Sequence, residues 1–271
     1  GQAGWMLPAL LPGVILWLPA VYAIHVGLLL QAVFIPMILM AVLLGLVTPY
    51  LAAPRRWGLV ASAALAAAAL LIAGGLTSDF GAEHPQINTV LYGLDARRGE
   101  AYWVGYVEPD EWTGQFLENY ETRVAWEFFP YSADPLPVSA APELDLPAPQ
   151  AEVLEDAVRD GIRYLRISFD SARDARVLSV YTVSGNQVLA AEVEGIRVEG
   201  MDAFEYSALP EEGIEVLFEL LPGEPFEMIV VDASEGLPEI PGFEYRPRPA
   251  GQVRAPVSPG DAVLVSTIYD F

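Results

Sequence analysis

The chain has no cysteine and no lysine, and only two histidines among 271 residues. Without cysteine it can form no disulfide and can offer no thiolate nucleophile or thiolate metal ligand. Extracellular eukaryotic domains of this size often carry disulfides, so their absence points towards a bacterial source. Arginine supplies all fourteen cations, in a sequence rich in Ala, Gly and Pro. That pattern is the codon signature of a GC-rich genome and carries no functional meaning.

Acidic residues are missing from one end only. No Asp or Glu precedes Asp79, and the only cations before it are Arg55 and Arg56, so the net charge of −22 divides into +2 and −24. An imbalance this sharp predicts two parts built for two solvents. The acidic part is long enough to bury a core of its own. Its charge would repel phosphate backbones, which excludes nucleic acid as a partner.

Trp5 to Pro54 runs without a formal charge. A bilayer-spanning helix takes about 20 apolar residues, so this stretch predicts two spans, at 7–29 and 33–51, with a turn near Gln31–Pro36. A third span is predicted at 57–76, where Ala, Leu, Ile and Val dominate and small residues allow close helix approach. A cleaved signal peptide does not fit, because a basic n-region is missing and the apolar stretch is too long. The chain opens on Gly1, directly before membrane-type sequence, and so reads as a segment of a longer protein. His25 and Gln31 are the polar groups of this region, and His25, near the outer end of the first span, reads as interfacial. Basic short loops stay in the cytoplasm. Arg55 and Arg56 therefore predict an integral protein of the bacterial inner membrane, with its C-terminal domain on the periplasmic side and the lipid bilayer as a partner.

Residues 78–271 form the second predicted domain. Here the pattern changes to period-two alternation. Strands are expected at Ile87–Leu94, Ala101–Val107, Arg163–Asp170, Val177–Val183, Gln187–Val193, Phe204–Leu209, Ile214–Leu221, Phe226–Val231 and Ala262–Ile268. Asp110 is placed to cap a short helix, Glu152–Arg159 reads as helical, and Pro130–Pro149 reads as a Pro-rich connection. The predicted fold class is three transmembrane helices followed by a mainly antiparallel β-sandwich, with a jelly roll as one topology open to it.

Catalytic signals are missing. Zinc hydrolases gather His with carboxylates, but outside the apolar region the chain has only His84, beside Pro85. Metal-ligand spacings, the nucleophile elbow and phosphate-cradling glycine loops do not occur. No catalytic, cofactor-binding or metal residue is assigned. Trp103, Trp112 and Trp126 could line a glycan platform, although aromatics at strand spacing read first as core.

Two stretches resemble a known family. One is Asn88–Leu117, NTVLYGLDARRGEAYWVGYVEPDEWTGQFL, containing Trp103 and Trp112. The other runs from VVDASEGLPEIPGFEYRPRPAG to DAVLVSTIYDF, with the Gly236-Leu237-Pro238 turn and the Arg248-Pro249 pair. Both resemble the C-terminal region of membrane-bound zinc metallopeptidases of family 28, of the endoplasmic-reticulum, Fxna-like type. The resemblance implies a parent chain in which an N-terminal peptidase domain carries the zinc and the hydrolase activity. The present residues would then be a non-catalytic membrane-anchoring and accessory region. A second function open to the sequence is a stand-alone, membrane-tethered β-sandwich that binds a glycan or protein ligand; a third, a transporter or respiratory subunit, needs more intramembrane polar groups than His25 and Gln31 provide.

A structural zinc site takes about four ligands, and this acidic domain offers one imidazole. The thermal midpoint of the domain should therefore be the same with and without a chelator. A large drop on chelation would refute the expectation of a metal-independent fold.

Overall fold

The computed structural model of the chain describes residues 81–82, 85–173, 175–183, 188–223, 225–255 and 260–271, together with Gly58, Ala61, Leu65, Ala68, Ala69 and Ile72. The chain divides into two compact units, Gly1–Asp79 and Phe80–Phe271. The six described positions of the first unit are helical and exposed. The spans expected at 7–29 and 33–51 lie outside the described residues, as do His25, Gln31, Arg55, Arg56 and His84.

The three-helix membrane segment is the main correction to the expected fold class. Spanning takes an unbroken apolar helix of about 20 residues, and among the described residues no helix is long and apolar enough to cross a membrane. The described architecture is built of β-strands.

In the second unit five strands form an antiparallel sheet. They are β6 (Gln150–Arg159), β7 (Ile162–Asp170), β9 (Val188–Val193), β10 (Ile196–Glu199) and β12 (Ile214–Leu220). The order across the sheet is β10-β9-β12-β7-β6. A second sheet has eight strands. These are β2 (Val90–Asp95), β3 (Glu100–Gly105), β4 (Glu121–Arg123), β5 (Leu136–Ala140), β8 (Val177–Thr182), β11 (Ala203–Ser207), β13 (Glu227–Glu235) and β15 (Ala262–Asp270). Their order is β11-β8-β13-β15-β2-β3-β5-β4. Every neighbour in it is antiparallel except β15 and β2, which run parallel. The short strands β1 (Gln86–Ile87) and β14 (Gln252–Val253) also pair in parallel. A jelly roll has eight strands in two sheets; five strands against eight is a different sandwich.

Three apolar cores follow from the alternation of side chains. Leu165, Ile167 and Phe169 of β7 and Val216 and Phe218 of β12 pack against Leu178, Val180, Met228 and Val230 of the larger sheet. This layer is the sandwich proper. On the same face of the larger sheet, Val90, Tyr92, Trp103, Val263 and Val265 form a second core, covered by Trp112, Phe116 and Leu117. The opposite face carries the third, in which Leu91, Val104, Val138, Ile229 and Leu264 lie under Phe128 and Ala125. Asp232, in register with Val265, is fully buried on the face shared by the first two cores. It accepts hydrogen bonds from Ser171 Oγ and the Arg173 guanidinium, while Arg173 also reaches Ser234 Oγ at 3.1 Å. Burial raises the Asp232 pKa, outweighing the opposing pull of Arg173, Ser171 and the Val265 N–H.

Several local expectations change. Glu152–Arg159, expected as a helix, is most of β6. Its apolar residues at 154, 157 and 158 suit a helix, but the Asp160-Gly161 turn that follows it folds β6 back on β7. Both turn residues have positive φ, 50° and 79°, the geometry of a two-residue hairpin turn. The Asp110 helix is one 3-10 turn, Thr113–Gln115. The Pro-rich connection contains β5, in which Pro137 stands opposite Thr122 of β4 but outside the pairing with β3, which covers only Val138–Ala140.

Gly93 of β2 lies under the Phe128 ring, and a Cβ there would run into ring carbons of that fully buried side chain. Gly93→Ala should cost about 1–3 kcal/mol, the usual range for overpacking, measured by denaturant unfolding. Gly114→Ala, where a Cβ meets nothing within 4 Å, should cost much less.

Candidate functional site

The two family-like stretches, far apart in sequence, meet at one end of the second core. Asp110 anchors the meeting point. Its Oδ1 accepts the backbone N–H groups of Trp112 at 2.9 Å and Thr113 at 2.8 Å, closing the Asp-Glu-Trp-Thr turn. Its Oδ2 accepts the side-chain amides of Asn88 and, at 2.8 Å, of Gln252. Burial opposes ionisation of Asp110, but the bonds from Thr113, Trp112 and Asn88 outweigh it and hold the carboxyl below its ordinary pKa.

Arg248 is the second anchor. Its guanidinium forks onto Asp261 with two contacts of 2.8 Å and donates to the Asn88 carbonyl at 3.0 Å. It also lies 4.0 Å from the centre of the Trp112 ring, a cation–π contact in a mostly buried setting. The Trp112 indole N–H donates to the Arg246 carbonyl at 2.8 Å, and the Arg246 N–H returns to Gln115 Oε1 at 2.8 Å. Asp261 Oδ1 accepts the Val90 N–H as well, at 3.2 Å. The junction thus ties β1, the start of β2, the 110–117 turn, the 246–253 arm and the start of β15 to one another.

All seven residues of the sequence motif belong to this junction or to the core beneath it. Trp103 is buried against Phe116, with ring centres 4.8 Å apart, and against Tyr92 at 5.3 Å. Trp112 is buried and stacks edgewise on Phe116. Gly236, with φ of 90°, turns the chain and donates its N–H to the Asp261 carbonyl at 2.8 Å. Leu237 packs on the second core, the Pro238 carbonyl accepts the Tyr245 hydroxyl, and the Pro249 carbonyl accepts the Gln252 N–H at 2.9 Å. Trp103 and Trp112 therefore line no glycan platform. Trp126 stands apart, partly exposed, with the Arg98 guanidinium 5.4 Å from its ring centre.

Asn88, Gln252 and Asp261 are partners that the sequence did not single out. The Asp110 turn was legible from its capping residue, but nothing local marks an amide that will bond 22 or 142 residues away. Chemically the junction can clamp. Its carboxylates are occupied by guanidinium, amide and backbone donors. Among the described residues no group of three or more His, Asp and Glu side chains could hold a metal ion.

No protein-family model matches the chain, and no curated protein matches it. Among solved structures, the chain is similar to a conjugative transposon lipoprotein from Bacteroides eggerthii, at 14% identity and a TM-score of 0.23. That likeness covers 45% of this chain and 95% of the other. These comparisons show no link to the metallopeptidases that the two stretches resemble.

Arg248→Ala should lower stability by about 1.5–3 kcal/mol, the range for hydrogen bonds to charged groups. Arg248→Lys should recover only part of the loss, because lysine neither forks onto Asp261 nor lies flat on Trp112. A depressed carboxyl pKa gives stability that is present above the unfolded-state value, ~3.9, and is lost as pH falls through the folded-state value. The wild type should therefore lose stability below about pH 4 more steeply than Asp110→Asn in thermal melts across pH.

Proposed function

We propose that the second unit, Phe80–Phe271, is a non-catalytic accessory module that serves a partner by binding. One observation carries this reading: the charged and aromatic residues that converge from the two motif stretches hold strands together and hold one another. Arg248 is used by Asp261, Asn88 and Trp112, and Asp110 by its own turn and two amides. Asp232, fully buried, is held in the same way by Arg173 and Ser171. A catalytic carboxylate must be able to exchange a proton with a substrate, and these are committed to the fold.

The alternative of a glycan-binding module keeps one supporting feature, the partly exposed Trp126 beside Arg98. A sugar ring stacks on an exposed indole face, but a platform takes more than one such ring, and the other two described tryptophans are in the core.

The 271-residue chain, incubated with aminoacyl and glycoside chromogenic substrates with and without added zinc, should give no turnover above background. Turnover that disappears in Asp110→Asn or Asp232→Asn, in protein whose circular dichroism shows it still folded, would overturn the accessory reading.

A further inference from the structure

The five-stranded sheet ends in an unusual edge. β6 is ten residues long and pairs only with β7. Most of it is exposed, including Val153 at 43%, Leu154 at 47% and Val158 at 60%. The other edge strands are shorter, at four residues for β10, five for β11 and three for β4. A long edge presents a row of backbone donors and acceptors to any strand that can lie beside it.

The side chains along β6 say what kind of strand that would be. Val153 stands opposite Ile167 and Val158 opposite Arg163, so both project to the side of the sheet that carries the sandwich core. They extend the apolar layer beyond the part that the larger sheet covers. Glu152 and Glu155 stand opposite Ser168 and Arg166, on the outer side. That side also carries Glu192, Glu215 and Glu219, against the arginines Arg166 and Arg197. Asp156 is bound by Arg163, and Glu155 lies near Arg159 and Arg166. Glu152 has no ion-pair partner among the described residues.

We propose that β6 receives an extended segment of a basic partner protein, which adds as a sixth strand with apolar side chains on the core side and Lys or Arg on the outer side. This names the partner chemistry for the accessory role and rests on that reading. Strand addition takes affinity from main-chain hydrogen bonds and specificity from alternate side chains. Both sets of side chains are present here: valines on one side and unsatisfied acid on the other. A second copy of the chain fits badly. Its charge from Asp79 onward is also −24, so two acidic edges would repel.

The test is a titration of the 271-residue chain with a labelled ten-residue peptide of alternating lysine and valine. A peptide of alternating Nα-methyl-lysine and proline is the control, because it has the same charge but no backbone N–H to add to the ladder in either register. The lysine–valine peptide should bind and slow hydrogen exchange at the amides of β6. The double variant Glu152→Lys, Val158→Lys, at two exposed positions, should weaken binding roughly tenfold by replacing an attractive and an apolar pair with repulsion. Equal binding of the proline peptide, binding unchanged in the double variant, or no slowing of exchange in β6 would each overturn the proposal. So would a doubling of mass with concentration that the double variant abolishes, since it would assign the edge to a second copy. Turnover in the substrate assay would instead sink the accessory reading and leave the exchange result standing.

Discussion

β15 pairs antiparallel with β13 over nine positions and parallel with β2 over five. Strands from residues 90–140 are in this way hydrogen-bonded into the same sheet as strands from residues 177–235, with the last strand of the chain between them. Parallel neighbours cannot be joined by a tight turn, so this contact forms only when the C-terminus is in place. Two of the three apolar cores take buried residues from β15, Val263 and Val265 on one side and Ala262 and Leu264 on the other, and its Tyr269 packs against the first. Asp232 sits where the first core passes into the second, fully buried and held by Arg173 and Ser171. Breaking such a pair by removing one partner is costly, because a buried charge is left without compensation.

The junction of Asp110, Arg248 and Trp112 is a consequence of that sheet. Once β15 lies beside β2, Asp261 stands next to the N–H of Val90, and Arg248 can reach both Asp261 and the Asn88 carbonyl. The arm 246–253 then lies against the 110–117 turn, where Trp112 and Gln115 bond to the backbone of Arg246. The two stretches that stand out in the sequence are therefore conspicuous for a packing reason. Aromatic, proline and arginine residues gather there because an arm whose one strand, β14, is two residues long must be fixed largely by side chains.

Charge follows a similar economy. The few arginines of the unit are spent on particular carboxylates: Arg163 on Asp156, Arg173 on Asp232, Arg197 on Glu219 and Arg248 on Asp261. Most of what remains without an ion pair is negative, including Glu152 and Glu192 on the outer face of the five-stranded sheet. Exposed pairs of this kind add little stability, so their main effect is to set which surface stays acidic. That surface borders β6, where the core-side valines reach beyond the cover of the larger sheet.

The sequence by itself determined the two-part charge division, the β character of the acidic part and most strand positions, because period-two alternation is a local property. It also carried the Asp160-Gly161 turn that makes β6 a hairpin strand, a signal outweighed by the helix-like spacing at 154, 157 and 158. A helical and an extended reading of so short a segment differ little in local energy, and pairing with β7 decides between them. Tertiary structure alone decided that Trp103 and Trp112 are core while Trp126 reaches solvent, since alternation does not say which face is covered. It alone decided the partners of Asp110 and Arg248, because Asn88, Gln252 and Asp261 come near only after β15 has entered between β13 and β2. And it alone decided that β6 is an edge, since the order of strands in a sheet depends on pairings that no local pattern records.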